Sequence, residues 1–345
     1  KTLPNHYVVA LHLQACRVQG QGGPLAVEDT PLKEPGQGEI LVKVEACGVC
    51  HSDMFAQYDI FYQGFPRVPG HEIIGRVAAV GEGVKGWEAG DRIGAGWHGG
   101  HDGTCYGCQN GWTSSCDNGV INGITKDGGY GEYATINAIA AVRVPEGVDA
   151  AEYAPVLCAG VTVFQALRHS GVKPGETVAV QGLGGLGHMA VQYARQFGYR
   201  VVAVSRGTDK QAEALKLGAT DFIDSSAGDA GAALRALGGA ALVLTTALAA
   251  EAMTPLLKGI NIQGKLLIVS VPGPITINAV DLMRYGVAVQ VWPSGNNKDA
   301  EKALAFADDH DFHSVVEKFP LAQAPQAYDK MLSGKARYRA VITMD

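Results

Sequence analysis

Between Thr177 and Gly187 the chain reads Thr-Val-Ala-Val-Gln-Gly-Leu-Gly-Gly-Leu-Gly, a short apolar run followed at once by a G-x-G-x-x-G turn. Beyond the turn, Ala190, Ala194 and Phe197 recur at i, i+4 and i+7, the spacing of one helix face, and Gly198 closes the segment. A strand, a glycine turn and a helix in that order admit few folds. Gly182 permits the tight turn, Gly184 lets the backbone approach a pyrophosphate, and Gly187 lets the helix lie close to its strand. A dinucleotide would sit on this turn, over Gly184, Gly185 and Leu186, at the positive end of the helix.

The surroundings give the motif its weight. Apolar runs at 178–181, 200–204, 221–223, 241–244, 266–269 and 287–291 alternate with helical stretches, the pattern of a doubly wound parallel sheet. Residues 156–295 are therefore expected to form a Rossmann-type nucleotide-binding domain. The chain before it has a different texture: 40–46 alternates apolar and polar residues, 73–80 reads as a buried strand, and glycines mark the turns. A tail follows, with helices expected at 298–308 and 325–333 and a last strand at 339–343. That last strand implies that 296–345 returns to complete a β-rich domain with residues 1–155. At 345 residues and 47% hydrophobic, the chain can build two such α/β domains without disulfides.

A net charge of −6 gives nucleic acid or an anionic membrane no electrostatic purchase, and no apolar stretch approaches a membrane span. The apolar run 7–11 is too short for a secretory signal, which predicts a cytoplasmic protein. Seven cysteines, several of them clustered, favour metal binding over a disulfide framework in that compartment.

Three segments place metal-ligating side chains at turns or element ends: Gly48-Val49-Cys50-His51-Ser52-Asp53, Gly70-His71-Glu72 and Leu157-Cys158-Ala159-Gly160. Two thiolates and one neutral imidazole leave a position open on tetrahedral zinc, the Cys₂His set known from alcohol dehydrogenases. A second cluster, Cys105-x₂-Cys108-x₇-Cys116, lies downstream. Cys47 forms C-x₂-C with Cys50, but the next pair is too far away for a zinc ribbon, and it reads as a core residue.

Taken together, these segments resemble the zinc-containing medium-chain alcohol dehydrogenases over essentially the whole chain, from Gly23-Pro24-Leu25 to Arg339-Ala340-Val341. The resemblance implies a GroES-like catalytic domain made from both chain ends, a nucleotide domain inserted in it, and an active site in the cleft between them. It also implies that Cys50, His71 and Cys158 bind a catalytic zinc and that Asp53 orients His71, although Asp53 can also be read as a helix cap. Glu72 is either an exchanging ligand or a buried structural acid. Ser52 would take the proton of the substrate alcohol, while His51 and Arg339 would meet the cofactor pyrophosphate. Phe55 stands where many relatives carry the histidine that ends the proton relay, so that the relay must end elsewhere, at His51 or in solvent.

In the second cluster three of the family's four structural-zinc ligands are present, and Asp102 stands where the fourth cysteine is expected, with His101 as a rival. At the end of the second nucleotide-domain strand an NAD enzyme should carry an acid. Here Ser205-Arg206, with Lys210 close behind, would suit the 2′-phosphate of NADP instead, and NAD is the alternative. Phe55, Trp97 and Trp292 are candidate pocket residues. The expected activity is alcohol dehydrogenase and aldehyde reductase, on a small-molecule substrate and in a homo-oligomer for which the resemblance suggests a tetramer. A polyol or sugar dehydrogenase is the nearest rival. A zinc-free reductase of the same superfamily, or a non-enzymatic nucleotide-binding protein, is disfavoured by the intact ligand set.

Overall fold

The structure is a computed structural model that describes residues 12–344. Its described residues divide into two compact units: 12–146 with 318–333 and 340–344 in one, and 147–317 with 334–339 in the other.

The first unit is built on a sheet centred on Glu39–Gly48. This strand pairs antiparallel with Ile73–Val80 on one side, and with both Tyr133–Asn137 and the tail strand Arg339–Thr343 on the other. One strand serves three partners because Tyr133–Asn137 takes Glu39–Lys43 and the tail strand takes Ala46–Gly48 on the same edge, while the pairing with Ile73–Val80 slips register at Leu41/Val42 and Val44/Ala46. Its residues are selectively buried at first, with Lys43 exposed between Val42 and Val44, but Ala46, Cys47 and Gly48 are all buried. The strand thus runs from the surface into the interior and delivers Cys50 there. Ile40, Val42, Val44, Ile73, Val77, Ile93, Tyr130, Ile136 and Ile342 pack beneath it as one core. The β-branched side chains suit a pleated, buried surface.

The second unit is a six-stranded parallel sheet in the spatial order Asp221–Asp224, Arg200–Ser205, Thr177–Gln181, Ala240–Thr245, Ile260–Ile268, Ala288–Val291. Counted along the chain, that order is third, second, first, fourth, fifth, sixth, the doubly wound arrangement whose switch point lies beside the Gly-rich strand. The central strands are buried on both faces, which is why they read as continuous apolar runs.

Three boundaries differ from the sequence reading. The first unit ends at Glu146 and not at 155, so helix Ala150–Tyr153 belongs to the second unit. The fifth strand begins at Ile260, ahead of the expected 266, because Gln263 adopts φ 59° and Gly264 follows it, which hides the strand's first half from a periodicity argument. The tail returns to the first unit at residue 318 and not at 296. Helix Asn297–Asp309 stays with the second unit because it buries Ala300, Ala303, Leu304 and Ala307, and the Tyr193 hydroxyl donates to the Ala303 carbonyl at 2.9 Å. Among the described residues no single helix is long and apolar enough to cross a membrane.

Candidate active site and cofactor site

At the interior end of Glu39–Gly48 the chain turns through Cys50 into the short 3₁₀ helix His51–Asp53. Asp53 is the third residue of that turn, and its carboxylate reaches back to the Cys50 backbone N–H at 2.9 Å, completing a capping box. The same carboxylate uses its other oxygen for chemistry: Asp53 Oδ1 lies 2.9 Å from His71 Nδ1. The carboxylate thus caps the turn and also lies against His71. Asp53 Oδ2 also accepts a hydrogen bond from the Tyr130 hydroxyl at 2.6 Å, a partner that the sequence reading missed.

Asp53, His71 and Glu72 are all fully buried. The ligand atoms of Cys50, His71 and Glu72 lie within 4.8 Å of one another. Glu72 fits because residue 48 is glycine: a Cβ there would collide with the Glu72 carboxylate. Burial disfavours a charged His71, but Asp53 and then Cys50 outweigh it and hold its pKa well above the usual imidazole range. Burial, reinforced by Asp53, likewise drives the Tyr130 phenol far up, so that it stays a donor. One imidazole, one buried carboxylate and a thiol, with Asp53 behind the imidazole, form a donor set that suits a divalent cation, whose charge offsets the cost of burying a carboxylate. Aromatic rings wall this group. Trp97 stands edge-on to His71 with centroids 5.1 Å apart, and Phe55 packs edge-on against both Trp97 and Phe61. Ser52 is half-buried beside Asp53, and His51 is exposed.

Cys158 belongs to the second unit. The sequence periodicity predicts one helix over 156–167. The structure instead has a 3₁₀ turn, Ala154–Leu157, and a helix, Ala159–Arg168, with Cys158 at the break in a non-helical conformation (φ −128°, ψ −73°). The break makes Cys158 the N-cap of the helix Ala159–Arg168. Trp292, in the same unit, is almost wholly buried and stacks on His169 at 4.8 Å, so core packing accounts for it.

In the second cluster the ligand atoms of Asp102, Cys105, Cys108 and Cys116 also lie within 4.8 Å of one another. Asp102 Oδ1 is 3.5 Å from Cys116 Sγ and 4.0 Å from Cys108 Sγ. Asn118 donates to Asp102 Oδ2 at 2.6 Å and the Thr104 N–H to Oδ1 at 2.9 Å, and these bonds hold its carboxyl well below the usual range. His101 is not in the cluster. Its Nδ1 sits 3.0 Å from His98 Nε2, and the two rings stack. His98 is a buried strand residue.

The Gly-rich turn of the second unit is assembled as its sequence predicts. Gly187 opens helix Gly187–Gln196 in direct contact with the Gly182 carbonyl, where any Cβ would collide, while the space over Gly184 is open. Arg339 lies over Gly185, its Nη1 2.7 Å from where a Cβ on that residue would stand. Lys210 Nζ donates to the Leu183 carbonyl at 2.9 Å. His188, which the sequence reading passed over, brackets the turn. Its Nδ1 is 3.1 Å from the Gly184 carbonyl, and its Nε2 accepts the Val315 N–H at 3.2 Å. Ser205 ends its strand nearly buried, and Arg206 is exposed.

Comparison with known proteins agrees with this architecture. Residues 36–146 match the alcohol dehydrogenase GroES-like domain, and residues 185–309 match the zinc-binding dehydrogenase domain. Alcohol dehydrogenase notN of Aspergillus sp. (strain MF297-2) is 60% identical over 324 residues, covering 94% of this chain and 96% of that protein. Aldehyde reductase AdhA of Synechocystis sp. is 36% identical over 310 residues, covering 89% of this chain and 92% of that protein. Among solved structures, a cinnamyl alcohol dehydrogenase of Sorghum bicolor superposes with a TM-score of 0.87 at 30% identity, covering 96% of this chain and 98% of that one. With both domain models matched in order and relatives this similar along nearly their full length, the chain belongs to the zinc-type medium-chain alcohol dehydrogenase family.

Proposed function

We propose that this member of the family is a zinc-dependent alcohol dehydrogenase and aldehyde reductase that prefers NADP, with its catalytic zinc on Cys50, His71 and Cys158. The observation that carries the reading is the buried Asp53–His71 pair beside Cys50 and Glu72. A carboxylate on Nδ1 fixes the imidazole tautomer and leaves Nε2 as the metal donor. When bound, zinc supplies a Lewis acid that lowers the pKa of an alcohol hydroxyl, and the nicotinamide supplies the hydride carrier.

The chain's own residues do the rest. Tyr130 and the Cys50 N–H hold Asp53, and Asp53 holds His71. Glu72 stands close enough to exchange as a ligand. Phe55, Phe61 and Trp97 give the substrate an apolar wall and keep water from His71, which favours an alcohol or aldehyde with an apolar body. Ser52 Oγ accepts the substrate proton as it passes its own on, and with Phe55 in place of a relay base the proton leaves through exposed His51 or directly to solvent. The carboxylate-and-thiol group Asp102, Cys105, Cys108 and Cys116 suits a second, structural zinc.

The NADP preference rests on charge. Arg206 is exposed and has no hydrogen bond or ion pair among the described residues, and the strand before it ends in a hydroxyl rather than a carboxylate. The reading includes a cytosolic homo-oligomer; for the oligomer, the edge strand Ala288–Val291 leaves Val289 and Val291 exposed, and Ile262, Val280 and Met283 of the same unit are exposed as well.

Cys50→Ala tests the metal assignment. The variant is expected to lose the catalytic zinc by metal analysis and to lower turnover of primary alcohols at least about a thousandfold. Nucleotide binding, which belongs to the second unit, should remain. Retained turnover with one zinc fewer, or full zinc content, would overturn the ligand set.

A further inference from the structure

We infer that Arg337 is a specificity-determining residue: by pairing with Asp209 it silences the carboxylate that would otherwise oppose a 2′-phosphate beside Ser205 and Arg206. The inference rests on the NADP reading and explains how the loop 205–210 can hold an acid and still receive a dianion.

Three acids stand at this edge of the second unit. Asp224 is the register partner of Ser205 on the neighbouring strand, and its Oδ1 is engaged by the Gly207 N–H at 2.8 Å, the Ser226 N–H at 2.8 Å and the Ser226 hydroxyl at 2.6 Å. Those bonds tie it beneath the loop. Glu213 accepts the Tyr338 hydroxyl at 2.8 Å, with Arg337 Nε 3.7 Å away, so that it keeps a donor of its own. Asp209 is held more loosely: apart from its own backbone N–H and the charge of neighbouring Lys210, its partner is Arg337. Its Oδ1 lies 3.4 Å from where a Cβ on Gly207 would stand, facing the loop, and its Oδ2 takes the Arg337 guanidinium at 3.1 Å. The Arg337 bond is the largest influence holding the Asp209 carboxyl below its usual range.

The cations are arranged to complement this. Lys210 is tethered to the Leu183 carbonyl, and Arg206 is unpaired among the described residues. With Asp209 neutralised, the loop offers Arg206 and Lys210 without an opposing charge. Without Arg337, Asp209 would face Arg206 across Gly207 and repel the phosphate. The pair contributes little to folding, since Arg337 and Asp209 side chains are 40% and 63% exposed, and such pairs are weak. Its effect falls on a ligand charge placed within a few ångströms, where one net charge changes affinity about tenfold.

The test is equilibrium titration of NADPH and NADH, read by nicotinamide fluorescence, onto the zinc-loaded full chain and its variants. Wild type is expected to bind NADPH more tightly. In R337Q the NADPH-to-NADH affinity ratio should fall about tenfold with NADH binding nearly constant, whereas a merely structural role would weaken both nucleotides alike. R337K should keep the ratio, and the double variant R337Q/D209N should restore it. D209N alone, which frees Arg337, should tighten NADPH about threefold and leave NADH unmoved, so the proposal can be judged even if R337Q misfolds. An unchanged ratio in R337Q, no recovery in the double variant, or no gain in D209N would overturn the role of Arg337. Tighter binding of NADH by the wild type would overturn the NADP reading itself.

Discussion

Asp53 performs two tasks with two oxygens: one receives the His71 imidazole, and the other receives a backbone N–H and the Tyr130 phenol. Deleting the phenol hydroxyl leaves Asp53 fully buried with one donor fewer, and Asp53 loosens its hold on His71. Tyr130→Phe is expected to weaken catalytic-zinc affinity about 10–100-fold, the usual cost of losing an outer partner of a metal ligand. Competition with a zinc chelator measures this. Wild-type affinity in the variant would mean that the Cys50 N–H alone suffices. The His71–Asp53 partnership was legible in the sequence because histidine, cysteine and acid occur in short motifs whose chemistry is known. Tyr130 was not, because it is 77 residues from Asp53 and no local pattern singles out one buried tyrosine from the others. His188 and Arg337 escaped for the same reason: each acts through side-chain contacts made only after folding.

Elements were legible where burial is continuous and illegible where geometry breaks the period. The parallel strands announced themselves as β-branched runs, but the first half of Ile260–Ile268 did not, because a left-handed Gln263 interrupts it. The break at Cys158 likewise hides inside an apolar stretch that reads as one helix. The segment 102–118 is the opposite case. It has only single-turn helices, Tyr106–Gln109 and Thr113–Ser115, neither of which buries a residue, and it exposes Tyr106 and Trp112. Apolar packing cannot hold such a segment, and the four donor side chains converge where a metal would staple it. Asp102→Ala removes one donor and frees Asn118 and Thr104. The variant is expected to fall from two zincs per chain toward one and to be cleaved within 102–118 at least about tenfold faster. Metal analysis and limited proteolysis read the two effects, and two tightly held zincs with unchanged cleavage would exclude Asp102 as a ligand.

At the scale of the whole molecule, the tail alternates between units: 318–333 joins the first, 334–339 the second, and 340–344 the first again. The sequence predicts a return of the tail from its last strand, and the family resemblance brings Arg339 to the cofactor, but neither predicts the excursion 334–339 that carries Arg337 and Tyr338 there with it. His188 fastens it there. The imidazole stacks on Tyr338 with centroids 4.9 Å apart, bonds the Val315 N–H, and meets the Gly184 carbonyl in the Gly-rich turn. With one nitrogen donating and the other accepting, the ring must be neutral, and burial lowers its pKa to about 3, with nearby Arg339 also disfavouring the charge. Unfolding returns the group to its ordinary value near 6.5. Above that pH neither state binds the proton, and His188 adds no pH dependence. Between 6.5 and 3 the unfolded chain holds one proton more than the folded one, so stability falls as pH falls, by about 1.4 kcal/mol per pH unit. His188→Gln abolishes this titration while keeping an amide that can donate and accept. Chemical denaturation at pH 7, 6 and 5 should show the variant less stable than wild type at pH 7, by about 1–2 kcal/mol for the lost geometry. The gap should narrow as the pH drops, since only the wild type pays for the proton. Parallel stability curves over that range would mean that the imidazole does not enter the folded protein neutral, and the fastening of the tail to the glycine turn would need another explanation.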